Sequence, residues 1–97
     1  MSRERLYEIL NAFLEGRLST KRFCDEFTVT YDQHTDYGTL SPTEHAEFRE
    51  LCRVASRFSP FPQDLVAYPK VYYDSEAVRR TAREVWAHLN SDAKDDH

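Results

Sequence analysis

Apolar residues recur at spacings of three and four in four stretches of the chain, and each stretch is bounded by residues that start or stop helices. Leu6, Ile9, Leu10, Phe13 and Leu14 form the first stripe, with Ser2 placed to cap it and Gly16 to end it in the left-handed conformation. Ser19 or Thr20 can open a second helix in which Phe23, Phe27 and Tyr31 recur at intervals of four with Cys24 beside them. Val29 falls off that stripe, and the β-branched run Thr28, Val29 and Thr30 weakens helix propensity. This helix is expected to run out near Tyr37 and Gly38. The sharpest local signal is Ser41-Pro42-Thr43-Glu44: the serine caps, the proline occupies the first helical position where no amide donor is needed, and the glutamate can return a hydrogen bond. The third stripe follows as Phe48, Leu51, Cys52, Ala55 and Phe58, with Pro60 and Pro62 as stop signals.

Residues 59–73 hold three prolines and show no helical period, yet carry Phe61, Tyr68, Tyr72 and Tyr73. They are expected to form a long ordered loop. Asp74 then caps a last helix with Val78, Ala82, Val85, Trp86 and Leu89 inside. Four helices of roughly 13 to 17 residues with mostly short connections predict an all-α domain, simplest as an antiparallel four-helix bundle with a long Pro/Tyr-containing loop before the last helix. Residues 1–90 are expected as one domain and 91–97 as a polar frayed tail.

At 97 residues, 40% hydrophobic and 31% charged, the chain suits one soluble globular domain and argues against disorder. No apolar run approaches the roughly 20 residues that span a bilayer, and the N-terminus lacks a secretory pattern, so a cytoplasmic location is expected. Cys24 and Cys52 stand alone in sequence and read as buried small hydrophobes. The net charge of −4 is unevenly spread. Residues 23–50 carry one basic and seven acidic groups, against five and three before them and seven of each after them. A nucleic-acid binder calls for a basic face, so the acid-rich middle points to a basic protein partner or to none.

Candidate chemistry concentrates in that middle and in the loop. Asp32, His34 and Asp36 alternate, which on a helix turns neighbouring members to opposite sides. A metal site therefore needs the helix to fray and His34 to meet His45. Asp32 and Asp36 share a face and oppose the helix dipole, and Glu47 extends that face, whereas Glu44 is explained by capping alone. In the last helix, Glu76 and Glu84 are spaced to pair with Arg80, so Arg79, Arg80 and Arg83 read as a solvated face. The loop tyrosines have the apolar body and polar tip of interface residues; covering the open end of the bundle is the competing role for Tyr68 and Tyr72. No nucleophile elbow, phosphate-cradling glycine loop or helical zinc motif is present, and neither catalysis nor a cofactor is expected.

The segments "NAFLEGRLST", "KRFCDEF", "LSPTE", "LCRVASRFSP" and "YYDSEAVRRTAREVWAHL" together resemble the colicin D immunity family of bacterial self-protective proteins, which includes immunity proteins of contact-dependent growth inhibition. The likeness spans residues 6–89 and rests on core and cap positions such as Phe13, Leu14, Phe23, Ser41, Pro42, Phe58 and Pro60. It implies a four-helix protein that binds and blocks a nuclease toxin, typically one that cuts tRNA, by setting acidic groups in the basic cleft that holds RNA phosphates. Ser56, Ser59 and Phe61 stand where acidic residues are expected from the colicin D member. The partner surface is accordingly expected either on Asp64, Tyr68, Tyr72, Tyr73 and Asp74 or on the Asp32, Asp36 and Glu47 face. The partner implied is a cognate toxin nuclease domain, with no direct nucleic-acid or membrane contact and a monomer outside the complex. The alternative is a non-catalytic helical adaptor or regulatory module docking on another basic protein.

Overall fold

The structure, a computed structural model, describes residues 2–35 and 37–95, with side chains for all of these except Ser2, His34 and residues 92–95. Regular structure among the described residues is helical: α1 (Ser2–Leu14), α2 (Thr20–His34), a 3-10 turn (Tyr37–Thr39), α3 (Pro42–Ala55), α4 (Pro62–Ala67) and α5 (Ser75–Asp95). Helices α1 and α2 pack on each other, α2 on α3, α3 on α5 and α5 back on α1. The four long helices thus close a ring of contacts, in a molecule with extents of 46, 26 and 24 Å. No helix among the described residues is long and apolar enough to cross a membrane.

The stripes read from the sequence become the core. Leu6, Ile9, Leu10 and Phe13 of α1, Phe23, Cys24, Phe27 and Tyr31 of α2, Phe48, Leu51, Cys52 and Ala55 of α3, and Val78, Ala82, Val85 and Leu89 of α5 are buried, while Leu14, Phe58 and Trp86 pack at its margin. Aromatic rings carry much of it. Phe13 stacks on Phe23 at 4.2 Å, Phe27 lies 5.9 Å from Phe48, and Tyr7 meets both Phe48 and Trp86 edge-on at 5.3 and 6.5 Å. These offset and edge-to-face arrangements suit the ring quadrupoles. Val29 is exposed, as its place off the α2 stripe requires.

Local chemistry sets most of the helix ends. Gly16 adopts φ +82°, its amide donates to the Phe13 carbonyl at 3.0 Å, and the Arg17 amide donates to the Ala12 carbonyl at 2.8 Å. That pair of bonds is the Schellman closure of α1. Apart from Gly16 itself and its two chain neighbours, no atom stands within 4 Å of the position a Cβ would take on Gly16, so Gly16→Ala meets strain from the local backbone alone. It is expected to cost about 1 kcal/mol and to lower the thermal midpoint by roughly 4–8 °C, measured by circular dichroism; an unchanged midpoint would contradict the left-handed cap. Ser19 caps α2 by accepting from the Arg22 amide at 3.2 Å, and Asp74 caps α5 by accepting from the Ala77 amide at 2.8 Å.

Four boundaries differ from the sequence-based expectation. Helix α2 ends at His34, ahead of Tyr37 and Gly38, because Thr35 turns to an extended conformation and its hydroxyl donates to the Thr30 carbonyl at 2.8 Å. Helix α3 ends at Ala55, one turn before the prolines, with Arg57 and Phe58 amides bonding back to Val54 and Ala55. The expected long loop contains a fifth helix, α4, for which Pro62 is the N1 residue and not a stop signal. Helix α5 continues to Asp95, taking in residues 91–95 that were expected beyond its end.

Candidate functional site

Between α3 and α5 the chain leaves the core and returns to it, and the exit and return points are clamped together. The Ser59 amide donates to the Tyr73 carbonyl and the Tyr73 amide to the Arg57 carbonyl, both at 2.9 Å, which makes a single parallel bridge between Phe58 and Tyr73. Arg53 of α3 reinforces the clamp from outside. Its guanidinium donates to the Tyr73 hydroxyl at 3.1 Å, lies 5.8 Å from the ring centroid, and pairs with Glu50 at 2.6 Å. Within the segment, the buried Ser59 hydroxyl donates to Asp64 at 2.8 Å and accepts from the Phe61 amide at 3.2 Å. Ser59 is therefore a hinge pin of the loop and does not face a partner.

What this frame holds up is apolar. Helix α4 buries no residue, and Phe61, Val66, Tyr68 and Val71 are 55, 83, 56 and 45% exposed. Tyr68 lies edge-on to the half-buried Tyr72 at 6.0 Å. At that exposure Tyr68 leaves more than half of its surface to solvent. Four exposed large apolar residues lie within eleven positions on a segment tied down at both ends, and exposed apolar side chains gathered on one surface mark protein contacts. Of the predicted partner-facing residues, the structure brings Asp64, Tyr68, Tyr72, Tyr73 and Asp74 onto this one segment.

The predicted acidic face is less uniform. Asp32 is exposed in the last turn of α2 and has no hydrogen-bond or ion-pair partner among the described residues. Asp36 lies outside the described residues. Glu47, expected to be free, sits 2.7 Å from Nδ1 of His88 and so ties α3 to α5. Asp64 takes the Ser59 hydroxyl and Asp74 the Ala77 amide, leaving each with part of its lone-pair capacity. Glu44 does more than cap. Alongside the reciprocal bonds with Ser41 at 2.9 and 3.1 Å, its buried carboxylate accepts from the Tyr7 hydroxyl at 2.6 Å and pairs with Arg3 at 2.7 Å. Desolvation alone would raise its pKa, but the Arg3, Ser41 and Tyr7 hydrogen bonds outweigh it and hold the group at about 2.

In α5, neither Glu76 nor Glu84 forms the expected ion pair with Arg80; Arg79 instead lies 4.7 Å over the Phe13 ring, where it covers the core. His45 lies 3.4 Å from the Tyr31 hydroxyl and beside Tyr37, whose own hydroxyl donates to the Tyr31 carbonyl at 3.0 Å. The His34 side chain lies outside the described residues, and among those described no three His, Cys, Asp or Glu side chains gather as a metal site. Burial pushes the Cys24 and Cys52 thiols up to about 12 and about 11, which suppresses thiolate chemistry at neutral pH. Open depressions occur among the described residues. One, of about 340 Å³, lies over Arg5, Asp25, Glu26, Val29 and Thr30, and another, of about 550 Å³, over Ala46, Arg49, Glu50 and Arg53.

Sequence reasoning missed Arg3, Tyr7 and His88 as partners of acidic residues, and Val66 and Val71 as exposed apolar groups. The first three act across 37 to 41 residues of chain, where no local spacing reports them. Val66 and Val71 did carry a signal: apolar residues in a segment without helical period have no core face to join. No protein-family model, curated protein or solved structure matches the chain.

Proposed function

We propose that this chain is an immunity protein, a non-catalytic inhibitor that binds one cognate nuclease toxin domain in the cytoplasm and blocks it, the toxin being of the tRNA-cutting kind that the resemblance implies. The observation that carries the reading is the exposed run of Phe61, Val66, Tyr68 and Val71 on a segment clamped by Ser59 and Tyr73. A rigid scaffold that presents aromatic and aliphatic anchors supplies long residence on a partner, because little conformational entropy is lost on docking. The acid excess of residues 23–50 complements it. A nuclease needs a basic cleft, and an acidic inhibitor is steered toward it at long range. In this reading the four long helices are the antiparallel four-helix bundle of the family, α4 belongs to the segment that presents the anchors, and the chain is a monomer without cofactor outside the complex.

Titrating the chain into a nuclease domain encoded by a gene adjacent to its own, with RNA cleavage as readout, tests the proposal. Stoichiometric loss of cleavage at one chain per toxin is expected. Tight binding that leaves cleavage untouched would favour the adaptor alternative, and absence of binding would remove the immunity reading.

A further inference from the structure

Resting on that reading, we propose that the Phe61–Val71 segment seats on an apolar, carboxylate-bearing patch of the toxin beside its RNA cleft, not within the cleft. The argument is the free charge that the segment presents. Residues 61–71 hold one cation, Lys70, and one carboxylate, Asp64, with Arg57 before them and Asp74 after them, and Asp74 is taken by the Ala77 amide at the start of α5. Asp64 is engaged by the Ser59 hydroxyl. The side chains of Arg57 and Lys70 are exposed and have no hydrogen-bond or ion-pair partner among the described residues. Lys70 falls between the exposed Tyr68 and Val71 in the chain, so a partner that covers both of them meets Lys70 as well.

A cleft that binds RNA must neutralise phosphates with lysine and arginine. Docking this segment there would press the exposed Lys70 ammonium against like charge, a juxtaposition that opposes binding. A toxin surface with apolar pockets and a carboxylate reverses the sign, and Arg57 at the base of the segment offers a second cation for the same surface. The acids of α2 and α3 then act as a field that guides encounter, while contact is made by the segment.

The sign of one substitution separates the two seats. Binding of wild-type, Lys70→Glu and Arg57→Glu chains to the adjacent nuclease domain is measured by surface plasmon resonance, with circular dichroism confirming that these exposed substitutions leave the fold intact. A carboxylate-bearing seat predicts binding weakened about tenfold or more for Lys70→Glu, chiefly through faster dissociation, and a smaller change in the same direction for Arg57→Glu. Tighter or unchanged binding of Lys70→Glu overturns the proposal and leaves the immunity reading standing. No complex with the wild-type chain overturns the immunity reading, and the seat with it. Loss of toxin binding to self-association, seen by light scattering, or co-sedimentation with anionic-lipid vesicles would assign the segment to a second copy or a membrane and likewise overturn it.

Discussion

Replacing Glu44 by alanine is expected to destabilise the fold by about 2–3 kcal/mol. The carboxylate is 6% exposed and serves three donors at once: the Ser41 amide, the Tyr7 hydroxyl and the Arg3 guanidinium. Its loss opens the capping box, takes a buried acceptor away from the half-buried Tyr7 hydroxyl and unties the start of α1 from the start of α3. Removing one partner of a fully buried ion pair costs about 3–5 kcal/mol. Arg3, at 45% exposed, recovers hydration and brings the figure down. Against a total stability of about 5–15 kcal/mol, the thermal midpoint should fall by roughly 10–20 °C.

The same carboxylate makes stability depend on acid in a definite direction. Its folded pKa of about 2 lies below the ordinary value of 4.5, so the folded state binds this proton less readily than the unfolded state does. The contribution is therefore complete above about pH 5 and is lost as pH falls toward 2. Glu44→Gln keeps the shape without the charge. The stability gap between wild type and Glu44→Gln should be widest at pH 6 and close as pH approaches 2. A gap that stays constant over that range would show that the charge of Glu44 contributes nothing to the fold.

The second large effect is expected in binding. Phe61→Ala with Tyr68→Ala should weaken the toxin complex at least 100-fold, since exposed aromatic anchors at the centre of an interface carry about 2 kcal/mol or more each. Both side chains are more than half exposed and belong to a segment whose clamp uses the backbone of Ser59 and Tyr73. Folding should therefore be nearly unchanged, and a double variant with wild-type melting and wild-type affinity would exclude this segment as the contact. Asp32→Asn should act differently, slowing association at low salt with little change in dissociation, as expected of a rim or steering charge.

The parts of this fold written in short-range chemistry were legible from the residues. The Ser41–Glu44 box, the Gly16 turn, the Ser19 and Asp74 caps and the phenylalanine spacing of α2 each depend on contacts three to five positions apart, the range over which sequence pattern reports geometry. The β-branched residues of α2 did not break it, because Phe23 and Phe27 bury completely and Tyr31 nearly so, and packing outweighs a few tenths of a kcal/mol of propensity. Helix α4 was hidden because it has six residues and no buried face, so nothing periodic announces it, and its Pro62 reads as a terminator when seen without its neighbours. The site was legible only as a list of residue types. That Glu47 is held by His88 and Glu44 by Arg3 and Tyr7, while Lys70 and Arg57 remain unpaired, depends on which helices meet, and spacing along the chain does not encode that.

The central claim, that this chain neutralises a nuclease, is tested most directly in cells. The adjacent nuclease domain is expressed with and without this chain, and survival is scored together with tRNA integrity. The immunity account predicts rescue of growth with intact tRNA, and loss of that rescue in the Phe61→Ala, Tyr68→Ala variant at equal soluble protein. Cells that die with cleaved tRNA despite abundant soluble wild-type chain would contradict it.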